Sequence, residues 1–179
     1  MKIKTNEISL AIVFSSLYTV LVVVLAPISY GPVQLRVADC LIPLAALFGW
    51  PAIAGVTVGC FLGNAYAWLG PQDVIFGAIA NLIAAIIIFM LRKRPFLACV
   101  MGSLPVGVIV GGYLWLFFGF QSPDIFGLQL PVWGAMIVSI TISTLIAVAG
   151  IGYAILKTLS RSSIASALKS RGLKIYIEE

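Results

Sequence analysis

The sequence predicts an all-α polytopic membrane protein: one bundle of six transmembrane helices over residues 1–179, both termini in the cytoplasm, lying in the plasma membrane. Three observations predict it. First, 61% of the residues are apolar and only 9% are charged, against roughly a quarter charged in an ordinary soluble domain. Second, the mean hydropathy is +1.13. A soluble domain of this size has too few charges here to cover its apolar surface, whereas lipid-facing surface need not be polar. Third, the Lys and Arg residues sit in short clusters between apolar runs, the pattern that membrane topology imposes.

The runs give spans at about 8–26, 37–49, 51–69, 73–91, 96–118 and 130–157, followed by a basic tail at 158–179. Most approach the ~20 residues that cross a bilayer core. The second is short and contains Pro43. It belongs in such a bundle only if protein covers its ends, because unpaired backbone is tolerated only where it is buried in protein or wet. Gly49-Trp50-Pro51 separates the second and third spans, since glycine ends helices and proline starts them. Lys2 and Lys4 precede the first run. That run is longer than a usual signal h-region and is read as a retained span.

Charge tests the count. With the N-terminus inside and six spans, ten of the eleven Lys and Arg residues fall on the cytoplasmic side and only Arg36 falls outside. That is what the positive-inside rule asks. Merging the second and third spans sends the basic tail or the Arg92-Lys93-Arg94 cluster to the wrong side. This topology accounts for the net charge of +5 without nucleic acid as a partner. Along the tail, Ile164, Ala165 and Leu168 form one weak apolar face, expected to lie along the cytoplasmic surface.

Several functions are excluded. There is no His, which removes imidazole metal sites and His-based catalysis. Cys40, Cys60 and Cys99 have no metal-ligand or redox spacing and read as small buried hydrophobes. No P-loop, GxSxG or HExxH is present, so no cofactor, metal or ATPase site is expected. Energy for active transport must come from elsewhere.

The informative residues are polar groups placed where they are costly. Arg36 and Asp39 stand three apart at the start of the second span. They suit an N-terminal ion pair on one helix face, or the lining of an outward pocket. Asp73 follows Pro71-Gln72 and suits an N-cap or the same pocket. Asn64 lies within the third span and Asn81 within the fourth. A buried amide needs partners, either a neighbouring helix or a ligand. Tyr30, Gln34, Trp68 and Trp133 gather on the same outer side, where Trp and Tyr also form interfacial belts. Two carboxylates, a guanidinium, amides and aromatics at one end of a bundle suit a flat polar ligand with both donors and acceptors.

Two stretches carry a resemblance. Ala26-Pro27-Ile28-Ser29-Tyr30-Gly31-Pro32-Val33-Gln34-Leu35-Arg36-Val37-Ala38-Asp39 is the first. Gly59-Cys60-Phe61-Leu62-Gly63-Asn64 with Asp73-Val74-Ile75-Phe76-Gly77 is the second. With the six-span plan and basic inner face, they resemble the QueT family, S components of energy-coupling-factor (ECF) transporters for queuosine precursors. The motif match covers roughly residues 10–90; beyond about 95 it is one of hydropathy. The family pattern usually carries Glu where this chain has Asp39, which keeps the charge and shortens the arm by one methylene. The resemblance implies an ECF S-component bundle that captures a 7-deazaguanine base outside. A transmembrane T subunit and two ATPase subunits would then drive its delivery. It implies substrate contacts from Gln34, Arg36, Asp39, Asn64, Asp73 and Asn81, with stacking from Tyr30, Trp68 or Trp133. It also implies a T-subunit contact through the small residues Ala11 and Ser15. An S component for another micronutrient and a stand-alone secondary transporter stay open as alternatives.

Overall fold

The computed structural model describes residues 5–29, 35–117, 124–125, 128–129 and 131–177. Helix α1 runs Thr5–Val24 and a short α2 runs Ala26–Ser29. A 3-10 segment, Val37–Leu44, leads into α3, Ala45–Phe48. Then come α4 (Trp50–Ala67), α5 (Pro71–Met90) and α6 (Pro95–Leu114). The last long helix begins as α7 (Val132–Thr144). It passes through a π-helical segment, Leu145–Gly152, and continues as α8 (Tyr153–Leu159), with α9 (Ser162–Ser170) after it. Between α6 and α7, Asp124–Ile125 pairs antiparallel with Leu128–Gln129.

Prolines set several starts. Pro51, Pro71 and Pro95 all lie in the first turn of their helices, where a missing N–H costs nothing. Gly49, at φ 70°, ends α3 and precedes α4, as the Gly-Trp-Pro turn predicts. Among the described residues, four helices are long and apolar enough to cross a membrane: Thr5–Val24, Pro71–Met90, Pro95–Leu114 and Val132–Leu159. α4 has 18 residues, about 27 Å at 1.5 Å per residue. The outward faces carry large apolar side chains, such as Ile12, Val13, Ile75, Val108 and Val138, as lipid contact requires.

The short second segment is the centre of the bundle. Ala38 through Phe48 are all buried. Eight residues of 3-10 helix at ~2.0 Å rise and four of α-helix at ~1.5 Å reach about 22 Å, further than the same residues would as α-helix. Pro43 lies inside it. The π-helical segment packs directly on it: a Cβ on Gly152 would stand 2.7 Å from the Cys40 carbonyl oxygen and from Pro43 Cγ. Cys40, Cys60 and Cys99 are free thiols in the interior, as their setting in apolar runs predicts.

α1 and α4 approach through a row of glycines. A Cβ on Gly55 would stand 2.6 Å from the Ala11 carbonyl oxygen. On Gly59 it would meet the Ser15 carbonyl and Tyr18 Cβ, each at 2.7 Å, and on Gly63 it would meet Val22 Cγ1 at 2.8 Å. The predicted Ala11/Ser15 pattern therefore already serves a contact inside the bundle, as small residues four apart often do.

The tail closes one end. The Tyr176 N–H donates to the Leu47 carbonyl at 2.9 Å. Its ring meets Phe89 edge-on with centroids 5.0 Å apart, and the Arg92 guanidinium stacks over Phe89 at 4.4 Å. Gly172 lies against Asn6. α9 carries all three residues of the expected apolar face, Ile164, Ala165 and Leu168, with Ala165 buried, and the segment after it docks beneath the bundle.

Candidate substrate-binding site

α1 turns one stripe inward, Phe14, Tyr18 and Val22, four residues apart. α5 turns in Asp73, Gly77 and Asn81 at the same spacing, and α4 turns in Cys60 and Asn64. Spacing by four stacks these side chains on one helix face. The 3-10 segment brings Asp39 between them. Arg36 stands just before it at φ −80°, ψ 85°, with the Val37 N–H bonded to the Leu35 carbonyl at 3.0 Å. This is an inverse γ-turn, so Arg36 lies outside the helix.

Two hydrogen-bond groups result. In the first, the Tyr18 hydroxyl donates to Asp39 Oδ1 at 2.5 Å. Asn81 Nδ2 donates to the Tyr18 oxygen at 2.8 Å and to Asp39 Oδ1 at 3.5 Å. In the second, Arg36 Nη2 donates to Asp73 Oδ1 at 3.1 Å, and Nη1 donates to Asn64 Oδ1 at 3.3 Å. The Tyr113 hydroxyl on α6 donates to the same Asp73 oxygen at 2.8 Å. Asn64 Nδ2 donates to the Asp73 carbonyl at 2.9 Å, so it ties α4 to α5 as well as facing Arg36. Gly77 makes room for this meeting, since a Cβ there would run into Asn64 Nδ2 and stand 3.7 Å from Arg36 Nη1.

Arg36, Asp39, Asn64, Asp73 and Asn81 are all buried, and the five sequence-predicted residues meet in one place. The local roles open to Arg36 and Asp73 are not the ones taken. Arg36 sits outside the helix and reaches across to α4 and α5 rather than forming a one-turn pair with Asp39. Asp73 caps nothing: α5 starts after Gly70 with no side-chain cap bond, and the carboxylate faces Arg36 and Tyr113. Trp68 and Trp133 point outward, 64% and 53% exposed, and do not join the cluster. Trp68 ends α4 in the left-handed region at φ 45°. Tyr30 and Gln34 lie outside the described residues. Ala11 and Ser15 line an external groove of about 420 Å³ between α1 and α4, together with Trp50 and Val58.

Tyr18 and Tyr113 were not anticipated. A signal exists for Tyr18, which lies halfway along the first apolar run. A phenol at that depth has no water and needs a partner. Because it donates to a buried carboxylate, Tyr18→Phe is expected to cost about 1.5–3 kcal/mol, read as a lower midpoint of unfolding in mixed micelles. A Phe variant as stable as wild type would remove this bond from the account.

Beside the cluster lies a cavity of about 10 Å³, lined by Arg36, Asp39, Val106, Val110, Ile140 and Thr144, room for about one water. Asp73 Oδ2 is buried with no hydrogen-bond partner among the described residues. The site thus offers carboxylate acceptors, a guanidinium donor and amides that both give and accept. That is chemistry for holding a polar ligand.

The QueT transporter family model matches residues 8–161, a stretch that contains every residue of the cluster. The queuosine precursor transporter QueT of Lactococcus lactis subsp. cremoris (strain MG1363) is 36% identical over 86 residues, which is 46% of this chain and 48% of that protein. The match thus spans about half the length of that curated relative. No solved structure matches the chain. A bundle of apolar helices enclosing an ionic cluster, matched to this family over most of its length, belongs to the QueT transporter family.

Proposed function

We propose that this chain is the substrate-binding S component of an ECF-type importer and captures a queuosine precursor, a 7-deazaguanine base, from outside the cell. The observation that carries the reading is the cluster of Arg36, Asn64, Asp73 and Tyr113 with Tyr18, Asp39 and Asn81. Five separate elements supply it, and it is buried in a chain of this family.

Orientation follows from charge. The tail, Gly49, Phe89, Arg92 and the start of α1 meet at one end. Asn64 near the end of α4 and Asp73 at the start of α5 mark the other. Basic loops favour the cytoplasm, so the ionic cluster faces outward in the six-span topology. The guanine edge of the ligand presents N–H groups to Asp73 and a carbonyl to a donor such as Arg36. The cavity of about 10 Å³ is far smaller than such a base, so entry requires the outer end to open.

Nanomolar capture corresponds to about −12 kcal/mol, and one charge-assisted hydrogen bond supplies only ~1.5–3. Several must therefore converge, as the clustering of donors and acceptors allows. The chain carries no P-loop, so a T subunit and two ATPases would supply the energy, the T subunit docking in the groove that holds Ala11 and Ser15.

Calorimetric titration of the purified protein with 7-deazaguanine bases tests the site, and uptake into vesicles with and without the T subunit and ATPases tests the assembly. Asp73→Asn is expected to weaken binding about tenfold or more, a change of about 1.4 kcal/mol. Wild-type binding untouched by that substitution would move the site elsewhere. Uptake by the chain alone would replace the S-component reading with a secondary transporter.

A further inference from the structure

The buried cluster holds two carboxylates, Asp39 and Asp73, and one guanidinium, Arg36. No further Lys or Arg lies between residues 5 and 91 or between 95 and 156, and Arg92 and the described tail meet at the opposite end. The cluster is therefore formally one positive charge short. An unbalanced charge inside a bundle surrounded by lipid is expensive.

The geometry shows which carboxylate lacks its counter-ion. Arg36 forms its ion pair with Asp73, Nη2 to Oδ1 at 3.1 Å. Asp39 is held by neutral donors: the Tyr18 hydroxyl and the Asn81 amide both bond Oδ1. No described residue donates to its Oδ2. The field of Arg36 reaches Asp39 as well, but one guanidinium cannot neutralise two carboxylates. Asp39 also lines the water-sized cavity, whose other walls are Arg36, Thr144 and the apolar Val106, Val110 and Ile140. An ammonium group is about the size of a water molecule, so the space beside Asp39 fits such a group and not a ring.

Resting on the reading of this site as a deazaguanine pocket, we propose that the ligand itself brings the missing charge. The site selects a singly cationic base, whose ammonium group sits beside Asp39. It discriminates against a neutral base with the same ring. Asp73, already neutralised by Arg36, keeps its buried and unpartnered Oδ2 for an uncharged N–H of the ring edge. Among 7-deazaguanines this favours an aminomethyl substituent, protonated near neutral pH, over a nitrile at the same position.

The experiment compares 7-aminomethyl- and 7-cyano-7-deazaguanine by calorimetry on the purified full chain in nanodiscs at pH 7. Wild type is expected to bind the aminomethyl base about tenfold or more tighter. Asp39→Asn should bring the ratio of the two affinities close to one, and Asp39→Glu should keep the preference. The nitrile binding as tightly as the amine in wild type overturns the inference while leaving the deazaguanine reading intact. A preference that survives Asp39→Asn overturns it too. If neither base binds wild type, the deazaguanine reading fails and takes this inference with it. The wild-type comparison stands even if Asp39→Asn does not fold.

Discussion

Arg36→Met is expected to cost about 3–5 kcal/mol of stability, the typical penalty for removing one partner of a buried ion pair. The guanidinium is 8% exposed and the carboxylate fully buried, so water cannot replace the lost partner. The loss falls on Asp73, left with the Tyr113 hydroxyl at 2.8 Å as its side-chain donor and no counter-ion. The double variant Arg36→Met, Asp73→Asn removes the stranded charge and should recover much of the loss, because breaking a buried pair is worse than replacing both members. Unfolding in mixed micelles with increasing denaturing detergent measures both variants. Ligand binding should be lost in each, so stability and binding separate in the double variant. A single variant with wild-type stability, or a double variant no better than the single, would rule out the ion pair as a structural element.

Gly59→Leu is the second large effect. Its Cβ alone would stand 2.7 Å from both the Ser15 carbonyl oxygen and Tyr18 Cβ. One of those atoms is backbone and the other is fixed to it, so no side chain can swing aside. α1 must move off α4, at a cost at the upper end of the ~1–3 kcal/mol typical of overpacking. The motion also carries Tyr18 away from Asp39, so binding should fall with stability. Gly112→Leu is the control. It lies on an exposed part of α6 with nothing within 4 Å of its Cβ position, and the same substitution should leave unfolding within about 0.5 kcal/mol of wild type. Equal behaviour of the two variants would mean that the α1–α4 approach does not determine stability.

The bundle was legible wherever hydropathy persists long enough. Of the five long spans of the sequence reading, four correspond to helices long and apolar enough to cross a membrane and the one at about 51–69 corresponds to the 18-residue α4, while the Gly49-Trp50-Pro51 turn separates α3 from α4 as its residue types require. The conformation of the central segment was not legible. Pro43 marks a disturbance, but whether the backbone tightens into 3-10 geometry depends on what surrounds it, which hydropathy does not encode. The π-helical turn at Leu145–Gly152 is hidden for the same reason, because the residues it packs against, Cys40 and Pro43, lie about a hundred residues earlier in the chain.

The polar cluster was legible through its cost. Arg, Asp and Asn inside apolar runs need partners, so Arg36, Asp39, Asn64, Asp73 and Asn81 stand out in the sequence. Their pairing was not legible, because proximity along the chain suggested Arg36 with Asp39 while the fold joins Arg36 to Asp73. Tyrosine conceals its role more thoroughly. The same residue type decorates the membrane interface, so Tyr18 and Tyr113 stand out only through depth within a span. Trp68 and Trp133 show the reverse case: large rings at the expected end of the molecule, turned away from the cluster.

The burial of all three native thiols has a practical consequence for spectroscopy. Cys40 is 5% exposed, and Cys60 and Cys99 are fully enclosed, so a maleimide reagent meets no background sulfur on the closed molecule. A reporter cysteine introduced at Trp68 or Trp133 can therefore carry a fluorophore without first stripping the wild-type chain. Cys60, within 3.6 Å of the Asn64 amide, then becomes a clock: its alkylation rate measures how often this end of the bundle comes apart.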